Sequence, residues 1–108
     1  VVSWGGKVLQ IIQFLTMSKV VIVAYDISNN KVRTQFSKFL EKYGVRVQFS
    51  VFEIQNSNRI LSIVKDGIEA RFKKKFDKGD SIYIFTTDHD KTIRYGSASL
   101  LDNDLIFI

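Results

Sequence analysis

Asp26 is the residue of this 108-residue chain best placed to do chemistry. It closes the run Val20-Val21-Ile22-Val23-Ala24-Tyr25 as the first charged side chain after it, so a carboxylate stands where an apolar segment ends. A carboxylate there serves as a helix cap or turn acid, or as a ligand for a hard cation. One Asp holds Mg²⁺ poorly, because that ion takes one or two carboxylates together with waters and phosphates. A two-fold dimer that brings two strand ends together supplies the second carboxylate, so one residue per chain suffices for a shared metal site. Arg46 and Gln48, polar on an otherwise apolar segment, are expected to face the same cleft, with a solvent-facing strand edge as the plainer reading. The single histidine, His89, sits in Asp88-His89-Asp90; these are ligand-type residues, but in a polar loop they read as a turn. HExxH pairs, nucleophile elbows, Walker loops and GxGxxG are all absent, as is the RNP1 signature of RNA-recognition motifs.

The elements that position these residues follow from periodicity. Val20–Ile27 is almost wholly β-branched and apolar without alternation, which predicts a central strand buried on both faces. Ser28-Asn29-Asn30 supplies turn and N-cap chemistry. Val32, Phe36, Phe39, Leu40 and Tyr43 then form a helical stripe with Arg33, Lys38, Glu41 and Lys42 off it, and Gly44 stands where a helix C′ glycine belongs. Val45–Ile54 alternates until Val51 and Phe52, which are adjacent and both apolar; a bulge or sharp bend there divides two strands. Asn56-Ser57-Asn58 caps a second helix with the stripe Ile60, Leu61, Val64, Ile68 and Phe72. Gly67 is a candidate kink, and Lys73-Lys74-Lys75 closes the last turn. Lys78-Gly79-Asp80 is a turn, Ser81–Thr86 a strand, Thr87–Thr92 a polar loop and Leu105–Ile108 a final short strand.

The order β-α-β-β-α-β with one strand more defines an α+β chain of ferredoxin-like type, an antiparallel sheet with both helices on one face. Such a sheet leaves apolar residues on its other face, and the terminal Ile106-Phe107-Ile108 suits addition to another sheet edge, so a homodimer is expected.

Composition narrows the setting. Sixteen Lys and Arg against eleven Asp and Glu give a net charge of +5. Residues 31–76 carry +7 of charge, residues 77–108 carry −3 and residues 1–30 carry +1, so the middle of the chain is a basic block suited to phosphate. A solvated face is the plainer account of those lysines. The absence of cysteine removes disulfides, thiolate nucleophiles and zinc knuckles, and favours the cytoplasm. The longest apolar run, Val20–Tyr25, falls far short of the roughly 20 residues a membrane helix needs.

Tyr25-Asp26 followed by Tyr43-Gly44-Val45-Arg46-Val47-Gln48-Phe49-Ser50-Val51-Phe52-Glu53 resembles the Cas-two family, the smaller of the two core CRISPR adaptation proteins. A toxin-type ribonuclease family of the VapD kind shares the fold and matches the second motif less well. The resemblance covers Met17 to Ile108. It implies a homodimer whose C-terminal strands pair with the partner's sheet, and a role in spacer acquisition beside the CRISPR integrase. It also implies a Mg²⁺-dependent endoribonuclease or endonuclease acting on single-stranded RNA or double-stranded DNA. By that resemblance Asp26 of each protomer binds one shared Mg²⁺, and Tyr25, Arg46, Ser50 and Phe52 shape the catalytic cleft. The alternative is a non-catalytic scaffold that holds nucleic acid on Lys38, Lys42, Arg46, Lys73, Lys74 and Lys75. Met17-Ser18-Lys19 is placed like a native start, so residues 1–16 are expected to be an extension and residues 17–108 a single domain.

Overall fold

A computed structural model describes residues 19–96. The expected extension at residues 1–16 and terminal strand at Leu105–Ile108 lie outside the described residues. In chain order the elements are β1 (Lys19–Asp26), α1 (Asn30–Glu41), β2 (Gly44–Gln48), β3 (Val51–Ile54), α2 (Asn58–Gly67) and β4 (Ser81–Asp88). The sheet order is β2-β3-β1-β4, with every neighbouring pair antiparallel. This is the ferredoxin-like arrangement, and the unalternating β1 is central in it. The expected burial on both faces is corrected: Ile22 and Ala24 are only half-buried, and Asp26 is exposed on the open side.

Burial divides β1 by parity. Val21, Val23 and Tyr25 join the core under the helices, paired with Phe52 and Ile54 side chains from β3. Ile82 and Ile84 of β4 pack on the same side. Asn29 caps α1 by accepting a hydrogen bond from the Val32 amide at 3.0 Å, and Ser57 caps α2 by accepting one from the Ile60 amide at 3.3 Å. The helical stripes meet as rings. Phe36 and Phe72 lie edge to face at 5.0 Å between centroids, and Phe39 lies 5.3 Å from Phe72. Each such pair adds about 0.5–1.5 kcal/mol beyond simple burial.

Three local expectations change. The break between β2 and β3 falls at Phe49-Ser50, ahead of Val51, and the irregularity lies in β2: Arg46 opposes Phe52 while Gln48 opposes Val51, leaving Val47 as the extra residue. Gly44 is the first residue of β2 and has no positive φ. It is required by close approach, since a Cβ there would lie 2.1 Å from the Glu53 carbonyl oxygen. Finally, β4 runs two residues beyond Thr86, because the β1–β4 ladder continues to Lys19 opposite Asp88, where the Lys19 ammonium pairs with the Asp88 carboxylate.

Gly67 also acts through space. A Cβ on it would lie 2.4 Å from Cζ of Phe39, so the bare backbone lets α2 settle onto that ring. Directly after it the helix widens into a π turn at Ile68–Phe72, closed by the Lys73 amide donating to the Ile68 carbonyl, and this turn seats Phe72 fully in the core. Helix propensity alone favours Gly67→Ala by about 1 kcal/mol. The ring contact reverses the sign, because overpacking a filled core costs about 1–3 kcal/mol. Urea denaturation of Gly67→Ala is therefore expected to show a lowered midpoint, and a raised one contradicts the packing account.

Candidate functional site

The end of β1 sends two adjacent side chains to opposite faces. Tyr25 is 6% exposed and lies in the helix layer, edge to face with Phe36 at 5.0 Å and stacked near Phe52 at 6.3 Å. Asp26, one residue on, is exposed at the open face of the sheet. Its carboxylate makes no hydrogen bond or ion pair among the described residues. The chain beyond it is held firmly. The Ser28 amide and hydroxyl both donate to the Asp80 carboxylate at 3.0 Å, and the Asp77 amide donates to the same group at 2.9 Å. The Asp77 amide above all, and then the Ser28 donors, hold the Asp80 carboxyl below the ordinary carboxylate range. Ser81, which follows, is the register partner of Asp26.

Arg46 belongs with Tyr25. It opposes Phe52 on the helix side, lays its guanidinium 5.0 Å from the centre of that ring, and donates to the Phe49 carbonyl. Ser50 joins through its backbone, its carbonyl accepting from the Tyr25 amide at 3.0 Å. Tyr25, Arg46, Ser50 and Phe52 are thus one cluster. Asp26 adjoins it along the chain but projects from the other face. The bulge at Val47 separates Arg46 from Gln48, which shares the open side with Ile22, Glu53 and Arg94 around a cavity of about 350 Å³. The expectation that Arg46 and Gln48 share one cleft is corrected by that extra residue.

The Tyr25 hydroxyl is buried without an aligned hydrogen-bond partner among the described residues. Burial pushes its pKa up, and the positive charges of Arg46 and Arg33 offset this only in part. Tyr25 therefore keeps its proton through the neutral range and is unsuited to act as a base.

The remaining basic candidates lie on the outer surface of the helix layer. Lys38 on α1 and Lys42 at its C-cap are exposed, and their spacing puts them on one side with Lys31 and Gln35. Lys75 reaches that stripe by donating to the Gln35 side chain at 3.3 Å, Lys73 pairs with Glu69 at 3.4 Å, and Lys74 is exposed. His89 opens a short 3₁₀ turn, and Asp88 beside it pairs with Lys19 and Lys91. No group of three or more His, Cys, Asp or Glu able to hold a metal occurs among the described residues.

The open face carries Tyr83 and Phe85, both well exposed, and the segment after β4 carries exposed Ile93 and Tyr95. Arg94 reaches back from that segment to the buried Glu53 of β3 at 2.8 Å. Periodicity gave no sign of this pair, although a lone acid in an apolar strand is a hint that a cation must meet it. Arg33 and Asp80 also escaped sequence reasoning. Arg33 donates to the Ile27 carbonyl at 3.0 Å, one residue beyond Asp26, and the only signal for it was its place in the first turn after the cap.

The class defined by these features is a small basic ferredoxin-like domain with a lone carboxylate at the solvent-facing end of its central strand. The profile of the CRISPR-associated protein Cas2 family matches residues 19–93, and the chain belongs to that family. A Chloroflexus aurantiacus relative named as a CRISPR-associated endoribonuclease Cas2 is 34% identical over 84 residues, covering 74% of this chain and 86% of the relative. A Rhodospirillum rubrum protein of the same description is 37% identical over 57 residues, and that match spans 53% of this chain but only 46% of the relative. Among solved structures, Streptococcus pyogenes Cas2 superposes with a TM-score of 0.58 at 25% identity, over 71% of this chain and 99% of that one. A chain from a partial Cas6-RT-Cas1–Cas2 complex gives 0.57 at 29% identity, over 67% and 81%. No helix among the described residues is long and apolar enough to cross a membrane.

Tyr25 is expected to ionise late, above the ordinary value of 10.0, when phenolate absorbance is followed against pH. The unfolded chain releases that proton near the ordinary value and the folded chain holds it. Stability is therefore whole below the ordinary value and falls as pH rises from there through the folded one. Tyr25→Phe is expected to remove both the late ionisation and its share of the alkaline loss; a late step that persists in the variant contradicts the assignment.

Proposed function

We propose that this chain works in the cytoplasm as a homodimeric, metal-dependent endonuclease of phosphodiesters within CRISPR adaptation, with Asp26 as its catalytic carboxylate. The observation that carries the reading is the free, exposed Asp26 carboxylate at the open face, on a strand end whose other side is locked by Tyr25. The relatives' description as endoribonucleases supports the activity, and the neighbour from a Cas1–Cas2 complex supports an integrase partner.

Fit to a cation is a question of donors. One chain offers one exposed carboxylate, a hard oxygen ligand suited to Mg²⁺ but too few for a cage. Exposed Tyr83 and Phe85 on the same face favour a second copy lying over it, which would bring a second Asp26 to the same place. A divalent ion held between the two carboxylates would neutralise charge developing on a phosphodiester. The chain's own part is positional. Tyr25, buried and protonated, holds the strand end in register; Arg46, stacked on Phe52 and bound to the Phe49 carbonyl, fixes the adjoining turn beside Ser50; and Asp80 ties down the loop beyond. Of the six basic candidates, Lys38, Lys42, Lys73, Lys74 and Lys75 lie on the outer helix surface and suit backbone phosphates at some distance from the cut.

That outward basic stripe favours a second reading, a scaffold that grips duplex DNA without cutting it. The two readings separate by substitution. Asp26→Asn is expected to lower Mg²⁺-dependent cleavage about a hundredfold or more while the dimer persists in sedimentation. Cleavage that survives this change sinks the nuclease reading. Lys38→Glu with Lys42→Glu is expected to weaken duplex binding and reduce its salt slope by about one per lost phosphate contact. An unchanged slope removes the stripe from the interface.

A further inference from the structure

The ring of Phe49 stands apart from the core phenylalanines and from the open face that carries Phe85: it is 73% exposed, at the tip of the turn joining β2 to β3. An isolated exposed apolar side chain needs no explanation by itself. This one has one guanidinium beside its ring and a second on its backbone. Arg33, reaching from α1, places its charge 5.7 Å from the ring centre, and Arg46 donates to the carbonyl oxygen of Phe49 itself. The next residue, Ser50, is bonded through its carbonyl to the Tyr25 amide at 3.0 Å, so the ring stands on a pinned turn directly beside the strand end that carries Asp26.

We propose that Phe49 is a stacking platform for one unpaired nucleobase, with Arg33 and Arg46 supplying the positive field for the adjoining phosphate. The proposal rests on the nuclease reading for its placement, since the platform lies next to the strand end that bears Asp26. The occupant follows from charge and shape. Arg33 and Arg46 are met by carbonyl and amide oxygens and, among the described residues, no carboxylate. An apolar protein surface seated on this ring would therefore bury their charge without an anion to balance it, which is costly. A nucleotide brings a π face for the exposed ring and an anion for the cations, and aromatic stacking tolerates any base. A base inside a duplex is already stacked and cannot offer that face, so the platform selects single strands, overhangs or splayed ends.

Binding is measured on the full chain carrying Asp26→Asn, so that a chain which proves not to cleave still tests the platform. The probes are a single-stranded oligonucleotide containing a fluorescent purine analogue and a blunt duplex of the same length. Phe49→Ala is expected to weaken single-strand binding about tenfold or more. Blunt-duplex affinity is expected to stay within about twofold, because backbone phosphate contacts dominate it. Phe49→Trp is expected to keep the affinity and quench the analogue, whereas Phe49→Leu, apolar but without a π system, is expected to lose most of it. Equal losses on both probes, undiminished single-strand binding by the Ala or Leu variant, or conversion of a dimer to monomers in sedimentation would each overturn the platform; the last would mark the ring as a protein contact.

Discussion

The working end of this molecule depends on one alternation: Tyr25 turns into the helix layer and Asp26 therefore turns out of it. A strand offers no intermediate choice, since successive side chains leave on opposite faces. Tyr25 is fixed by Phe36 against one edge and Phe52 against its face, and Val23 and Val21 repeat the parity behind it. A slip of one residue would bury the carboxylate and expose the ring, and the core is too well filled for that. The aromatic cluster under the helices thus decides where the acid on the open face stands.

The hydroxyl of Tyr25 runs against economy. Its polar neighbour is the Arg46 guanidinium, close enough to interact but not aligned, and phenylalanine would avoid the burial of that atom. The atom lies where Arg46 and Arg33 lower the electrostatic cost of negative charge, so the neighbourhood favours electron-rich groups even though burial keeps the phenol protonated. On the opposite face the Arg94–Glu53 pair shows the complementary solution, in which a buried acid is met by a cation from a distant segment. Breaking such a pair from one side costs more than the pair contributes to net stability.

Much of this arrangement was legible in the residues. The stripe Val32, Phe36, Phe39, Leu40 and the caps at Asn29 and Ser57 predict both helices, and the β-branched run of β1 predicts its central place, because burial and capping are local in sequence. The Asp26 strand end was equally plain. What periodicity could not give were contacts that depend on three-dimensional approach. The glycine at 44 looked like a helix terminator, yet its reason is a carbonyl on the neighbouring strand. Arg46 and Gln48 looked like one face of β2 because the extra residue between them has no signature in composition. The glycine at 67 likewise answers to the ring of Phe39, 28 residues earlier in the chain, and no window of ordinary width joins them.

The Asp80 carboxylate has a mechanical consequence. Its three donors come from two different loops, one leaving β1 and one entering β4, so neither loop can open without releasing the other. Local unfolding at this end is therefore a single cooperative event, and the amides of Ser28 and Asp77 share one opening free energy. Because the carboxyl is held below its ordinary range, the latch is intact above that range and weakens as pH falls from there through the lower folded value, where protonation removes an acceptor. Acid thus frees the two loops as a pair while the strands between them, held by their own ladder, stay in register.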